Sequence, residues 1–169
     1  QALNIEDCLI YSTGTRGVYS NKTTNIINSL INSTTYCVYK DNASATIINI
    51  TNSKLISDAT PFRIYNIVDL TIIGGLLEWD ISLFSLNASS GGERNFNGVN
   101  IRYTGTTVGG FIVFESQNTT KVDIRNCTLE CPNMNGNISF YDIDGVLNFI
   151  NNIYYNTGPT IGHNISIWH

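Results

Sequence analysis

A short pattern, apolar-x-Asn/Gly-x-x-apolar with one Asp variant, returns seven times along this 169-residue chain and constrains it more than any other feature. The copies are Ile5–Ile10, Ile26–Ile31, Ile50–Leu55, Ile72–Leu77, Phe96–Ile101, Ile124–Leu129 and Phe149–Tyr154. Their third residues are Asp7, Asn28, Asn52, Gly74, Gly98, Asn126 and Asn151, at intervals of 21, 24, 22, 24, 28 and 25 residues. Asp, Asn and Gly tolerate a left-handed backbone, so each copy reads as a sharp bend between two short strands whose flanking apolar residues point inward. A period near 24 residues fits a solenoid whose coils pair at about 4.8 Å. Stacked Asn side chains at the bend can hydrogen-bond to their copies above and below.

The residues ahead of each bend alternate as a half-buried strand should. Leu3, Ile48, Leu70, Val122 and Leu147 lie two positions before the inward Ile/Phe column. Between those columns stands a polar, outward one: Asn4, Asn25, Asn49, Thr71, Asn95, Asp123 and Asn148. Arg94 interrupts the inward column in the fifth coil, where the register is least defined. An antiparallel sandwich would show hairpin turns every 8–12 residues, about half the spacing found here. The signatures of leucine-rich and calcium-binding nonapeptide repeats are absent.

The Ile-x-Asn-Asn/Ser-x-Ile corners, at Asn28 and Asn151 among others, resemble those of the right-handed parallel β-helix superfamily, the pectate-lyase-like solenoids. The resemblance covers nearly the whole chain. It implies an all-β, single-domain right-handed parallel β-helix (β-solenoid) of about seven coils over residues 1–169, complete or a piece of a longer solenoid. Right-handedness agrees with the crossover rule for parallel strands. The fold hosts many activities and so implies little about this one. Its galacturonase-like members use Asp pairs with Gly-His-Gly and Arg-Ile-Lys; its lyases use calcium-binding Asp residues and a basic residue from a Pro-rich strand. None of these motifs is present.

Other catalytic chemistry is sparse. Glu115 and Asp142 fall in one column of adjacent coils, near the 5–10 Å that paired glycosidase carboxyls need. Asp142 and Asp144 supply two of the six to eight ligands of a calcium site. Glu78 and Asp80 lie close in sequence, and His163 and His169 have no nucleophile or metal-ligand partner at useful spacing. Gly74-Gly75 and Gly91-Gly92 read as turns, because no helix follows them. The four cysteines allow three connectivities, the simplest being Cys8–Cys37 and Cys127–Cys131. The second would need a turn before Pro132, since residues four apart in a strand stand about 13 Å apart.

With nine basic and thirteen acidic residues the net charge is −4 and no basic run exists, which argues against nucleic acid as a partner. No apolar run reaches the roughly 18 residues of a membrane helix. Asn-x-Ser/Thr occurs at Asn21, Asn32, Asn42, Asn87, Asn118, Asn137 and Asn164, and, in settings less suited to glycosylation, at Asn49 and Asn126. That excess, with only 13% charged residues and a start at Gln1, fits an exported glycoprotein or an excised fragment of one.

A second inward column, Val18, Val38, Ile64, Phe84, Val113, Phe140 and Ile167, precedes an outward one of Tyr19, Tyr39, Tyr65, Ser85, Phe114, Tyr141 and Trp168. The six aromatic residues form either a stack that stabilises the sheet or a contact face for protein or glycan. No capping segment is visible before Leu3 or after Trp168, so the open ends are expected to meet further coils or other copies. The sequence thus points to a non-enzymatic, N-glycosylated extracellular β-solenoid with a structural or adhesive role, on a cell surface or a virion: a filament or surface-layer subunit, an adhesin or a viral fibre. Its expected partners are copies of itself, with glycans a further candidate and no cofactor. The alternative is a polysaccharide-active enzyme or carbohydrate-binding module.

Overall fold

A computed structural model describes residues 1–40, 46–64, 67–80, 92–105, 111–115, 120–131, 137–141, 145–156 and 165–168. Among these residues the chain is all strand and turn, and every strand pair is parallel. It is a β-solenoid. Leu3–Glu6, Thr24–Ile27, Thr46–Thr51, Ile67–Ile73, Glu93–Asn97, Lys121–Arg125 and Val146–Ile150 stack as one seven-stranded sheet. Leu9–Ser12, Leu30–Ser33, Lys54–Ser57, Leu76–Trp79, Asn100–Tyr103, Thr128–Cys131 and Ile153–Asn156 form a second. The third side is described in two blocks of three strands: Arg16–Tyr19, Tyr36–Lys40 and Thr60–Ile64, then Phe111–Glu115, Asn137–Tyr141 and Ile165–Trp168.

The bend between the first and second sheets is where the sequence placed it. All seven marker residues have positive φ: 50° at Asp7, 48° at Asn28 and Asn52, 52° at Asn126, 54° at Asn151 and 66° at Gly74 and Gly98. Each turns the chain sharply, and its backbone bonds alternate in direction. The marker N–H donates to the next rung, as from Asn28 to the Thr51 carbonyl (3.0 Å) and from Asn52 to Ile73 (2.8 Å). Two residues on, the N–H donates to the rung before, as from Leu30 to Cys8 (2.9 Å) and from Lys54 to Ser29 (2.8 Å). Each interior corner is thereby bonded to both neighbours, which meets the demand that buried backbone groups be paired.

The residue after the marker is buried at Ser29, Ser53, Val99 and Cys127 and half-buried at Cys8, Gly75 and Asn152, and its column completes the joint. Ser29 Oγ accepts from the Cys8 N–H (3.1 Å), Ser53 Oγ from the Ser29 N–H (3.0 Å), and Asn152 Oδ1 from the Cys127 N–H (2.9 Å). At Gly75 no side chain fits: a Cβ would lie 2.0 Å from the Ser53 carbonyl oxygen. The amide ladder expected at the marker itself stands three residues earlier. Asn25 Nδ2 donates to Asn4 Oδ1 (2.7 Å) and Asn49 Nδ2 to Asn25 Oδ1 (2.9 Å). At the marker the left-handed turn carries Asn126 aside, where its Nδ2 donates to Asn97 Oδ1 (3.0 Å).

The core is a stack of like residues. Ile26, Ile50, Ile72, Phe96 and Ile124 face inward from the first sheet, and Ile31, Leu55, Leu77, Ile101 and Leu129 from the second. Each such side chain contributes about 1.5–3 kcal/mol by leaving water. The polar column runs unbroken as Asn4, Asn25, Asn49, Thr71, Asn95, Asp123 and Asn148. Register also holds through Arg94, which pairs with Leu70 and Val122 and is itself fully buried. Its Nη1 donates to the Glu93 carbonyl (3.0 Å). Burial pulls the guanidinium down to about 10 while the Asp69 carboxylate pulls the other way, so it stays charged at neutral pH.

The third side departs from expectation. Tyr39 pairs with Tyr19 and Arg63, and Ile64 with Lys40, so Tyr65 is not the next member of that column. A slip of two residues keeps the same side chains inward, and Phe62 and Ile64 suit the core equally. In the second block Phe114 pairs with Phe140, not Tyr141, and Glu115 pairs with Tyr141, not Asp142. The run Phe111-Ile112-Val113-Phe114 is apolar throughout and carries no alternation to fix its parity.

Gly75→Ala should cost more than the roughly 1–2 kcal/mol of a left-handed L-residue alone, because backbone stands where its Cβ must go. Gly98→Asn, with nothing within 4 Å of its Cβ, should stay within about 1 kcal/mol of the parent chain. Urea denaturation of the two variants reads the contrast.

Candidate functional site

The expected aromatic face condenses, in the first three rungs, into a cluster of three tyrosines and two arginines. The Tyr19 and Tyr39 ring centroids are 6.0 Å apart, and those of Tyr36 and Tyr39 5.5 Å. The Arg16 guanidinium lies 3.9 Å from the Tyr39 centroid and 5.3 Å from that of Tyr19. Arg63 sits 5.5 Å from the Tyr36 ring, and its Nη1 donates to the Tyr36 hydroxyl (3.1 Å). Guanidinium over ring is favourable and desolvates the aromatic beneath it. Tyr39 is therefore covered, at 6% exposure, while Tyr19 keeps 50%. Of the other face residues, Tyr65 lies outside the described residues. Phe114, Tyr141 and Trp168 are placed by strand register alone, with Tyr141 beside Trp168 and Phe114 out of that column.

The outer face of the first sheet carries the amide ladder at one end and charge in the fifth and sixth rungs. Lys121 Nζ stands 3.5 Å from Glu93 and 3.3 Å from Asp123, whose other oxygen accepts from Arg125 Nε. Partial burial alone would raise the Asp123 carboxyl; hydrogen bonds from Arg125 and Lys121 outweigh it and hold the group below the usual range. An open depression of about 460 Å³ lies here, with Ile73, Asn95, Asn97, Lys121, Asp123 and Arg125 along it. With Glu93 beside it, its two cations and two anions are balanced and mutually paired.

On the outer face of the second sheet Arg102 bridges Glu78 (3.2 Å) and Glu130 (3.4 Å) in the rungs on either side. The signal was present in the sequence: positions 78, 102 and 130 repeat the corner intervals of 24 and 28. At the ends of the sheet the column of Glu78, Arg102 and Glu130 turns aromatic, and the outward column beside it, which also holds Leu30 and Leu76, ends on aliphatic residues. Leu9 (72% exposed) and Tyr11 (67%) open the sheet, and Ile153 (63%) and Tyr155 (55%) close it.

Asp58 and Asp80 follow the paired residues Ser57 and Trp79 in adjacent rungs. Desolvation, and secondarily the Asp58 carboxylate, raise the Asp80 carboxyl above its ordinary value. Among the described residues Asp80 Oδ1 is buried and has no hydrogen-bond partner. Sequence reading noted Asp80 only for its nearness to Glu78, which faces elsewhere. Asp142, Asp144, His163 and His169 lie outside the described residues, and no cluster of three metal-ligating side chains occurs among those described.

All four cysteines are free, so the bridges Cys8–Cys37 and Cys127–Cys131 are not formed. Cys127 precedes and Cys131 ends one extended strand, Thr128–Cys131, with no turn to bring them together. Cys37 is fully buried, donates to the Ile56 carbonyl (3.1 Å), and is pushed up to about 12 by desolvation. Cys131 is likewise raised to about 11 by burial. Both thiols are inert at neutral pH.

Of the sequons, Asn42, Asn87, Asn118 and Asn164 lie outside the described residues, and Asn137 is placed by its backbone in Asn137–Tyr141. Asn32 stands half-buried in a strand, Asn49 within the amide ladder, Asn126 at a corner, and Asn21 beside Tyr19. No helix among the described residues is long and apolar enough to cross a membrane. No family model, curated protein or solved structure matches the chain. Sequence and geometry together thus define the class, a parallel β-solenoid.

Asp80 gives a pH signature. A carboxyl whose folded pKa is raised holds a proton that the unfolded chain has released, so stability falls as pH rises from 3.8 through the folded value. Denaturant melts from pH 3 to 7 should show the stability difference shifting in favour of Asp80→Asn as pH rises. A difference independent of pH would contradict the assignment.

Proposed function

We propose that this chain is a non-enzymatic, N-glycosylated extracellular β-solenoid of the right-handed, pectate-lyase-like type, with a structural or adhesive role, and that it assembles end to end with copies of itself. The observation that carries this reading is the match between the two terminal rungs. Of the ten middle positions in the two outward columns of the second sheet, seven are polar or charged (Asn32, Lys54, Glu78, Asn100, Arg102, Thr128 and Glu130) and three aliphatic (Leu30, Ile56 and Leu76), whereas all four terminal positions are apolar or aromatic, Leu9 and Tyr11 at one end and Ile153 and Tyr155 at the other.

Stacking the last rung of one copy on the first rung of the next would set Ile153 beside Leu9 and Tyr155 beside Tyr11. Aliphatic and aromatic cross-strand pairs of this kind favour sheet formation. It would also bring Asn148 against Asn4, extending the amide ladder, and would cover half-buried Phe149 and Leu147. Such a contact joins two different surfaces and does not close on itself, so it generates filaments.

A second reading, carbohydrate binding, has the open depression by Ile73, Asn95 and Lys121 in its favour: paired charges and amides offer donors and acceptors with no net field. Catalysis is disfavoured there because the carboxylates are engaged by cations.

Sedimentation of the 169-residue chain should show concentration-dependent assembly, and Ile153→Lys with Tyr155→Lys should abolish it while leaving the β-type circular dichroism intact. A monomer at every concentration would sink the assembly reading. Depolymerisation of a polysaccharide by the pure chain would overturn the non-enzymatic one.

A further inference from the structure

We propose that Asn21 is a glycosylated site whose first sugar packs on the ring of Tyr19, so that a glycan becomes part of the outer surface of the first rungs. The proposal rests on the reading of the chain as an exported glycoprotein and selects one sequon on physical grounds. Of the nine, Asn21 alone has an aromatic residue two positions before it; the others have Leu30, Lys40, Ile47, Ser85, Ser116, Ile124, Asn135 and Gly162 there. It also has Thr, not Ser, two positions after, at Thr23.

The geometry makes that spacing useful. Tyr19 ends its strand with half of its surface in water. The chain then turns, and Asn21 Nδ2 comes to 3.0 Å from the Tyr19 hydroxyl. The turn is held locally: the Lys22 N–H donates to Ser20 Oγ (3.2 Å), and Thr24 Oγ1 donates to the Lys22 carbonyl (2.9 Å). The nitrogen that would carry a sugar thus sits at the rim of an exposed ring. One face of a pyranose is lined with C–H groups, which suit the electron-rich face of a tyrosine, while the hydroxyls of its other face stay in water.

Among the described residues, the competing sequons Asn32, Asn49 and Asn126 are set differently. Asn49 Nδ2 and Asn126 Nδ2 donate to other asparagines, Asn25 and Asn97, and not to an aromatic hydroxyl, while Asn32, half-buried, lies within a strand and pairs with Tyr11 in the second sheet. At Asn21 the modification would replace one amide N–H by a bond to carbon. The nitrogen attacks the anomeric carbon of a lipid-diphosphate-linked oligosaccharide, the carbon–oxygen bond to the diphosphate breaks, and lipid diphosphate leaves as the amide proton is lost.

The test is secretion of the chain from N-glycosylating eukaryotic cells behind a foreign leader, with peptide mass spectrometry and thermal melts of four proteins. These are the parent, Tyr19→Ala, Thr23→Val, which blocks Asn21 alone, and the double variant. The expected result is occupancy at Asn21 and a Tyr19→Ala loss larger in the parent than in the Thr23→Val background by about 2–4 °C, the shift of one ordinary aromatic contact in a chain of this length. The same chain made without glycans in bacteria should show the smaller loss, which guards against a folding defect in Thr23→Val. An empty Asn21 beside occupied sequons elsewhere, or equal Tyr19→Ala losses in all backgrounds, would overturn the proposal. Nine empty sequons would overturn the glycoprotein reading itself.

Discussion

The left-handed corner residue is the constraint on which the rest of this structure depends. It lets the chain turn from one sheet to the next without a loop, and it fixes the direction of the backbone bonds on either side: forward to the next rung before the corner, back to the previous rung after it. Because the joint is rigid, the strands that flank it cannot slide independently. The first two sheets accordingly keep register through Arg94, although the corner interval varies from 21 to 28 residues. Apart from a register shift between Ile67 and Asp69 in the first sheet, that variation falls on the side of the coil away from the corner, on the path that contains the third face.

The same asymmetry explains what could be read from sequence. A residue that needs positive φ narrows the choice to Asn, Asp and Gly, so seven copies of it are visible without a structure. Neighbouring columns inherit their register from it, which is why the Asn4-to-Asn148 column was legible in full. The third face has no such anchor. Its strands are short, one is apolar at four successive positions, and Tyr39 was matched to Tyr65 when its neighbour is Arg63. Arg16 and Arg63 were missed for a related reason: their partners are rings in adjacent rungs, and nothing in the spacing of an arginine and a tyrosine advertises a cation–π contact. The Cys127–Cys131 bridge fails on the geometry its spacing already hinted at, since Thr128–Cys131 is an extended strand.

Stacking at about 4.8 Å imposes a further rule, since every outward side chain faces its own column above and below. Like charges directly opposite are destabilising, so a column must be neutral, alternate in sign, or interpose something else. Each solution is present. Amides with a donor and an acceptor apiece repeat indefinitely, as Asn4, Asn25 and Asn49 do. Glu78, Arg102 and Glu130 alternate. Arginine set among tyrosines turns a cation into a lid. Asp58 and Asp80 are the pair that breaks the rule, and there the carboxyl of Asp80 is pushed upward.

That rule bears on what the surface can do. A solenoid with unlike charges paired along its columns presents little net field, so long-range attraction of a polyanion or polycation is weak and recognition has to work at contact distance. Contact surfaces are then the places where the columns stop being self-satisfied. In the middle rungs of the second sheet Arg102 pairs with Glu78 and Glu130; at the terminal rungs Leu9, Tyr11, Ile153 and Tyr155 have a column neighbour on one side only. A sheet edge of this kind is a template for another strand, and proteins that must stay apart blunt it with charge. Here the charged residues of the second sheet sit at Lys54, Glu78, Arg102 and Glu130, away from both edges. The distribution runs opposite to the one that protects a monomer, and it is the physical ground for expecting the terminal rungs to be covered.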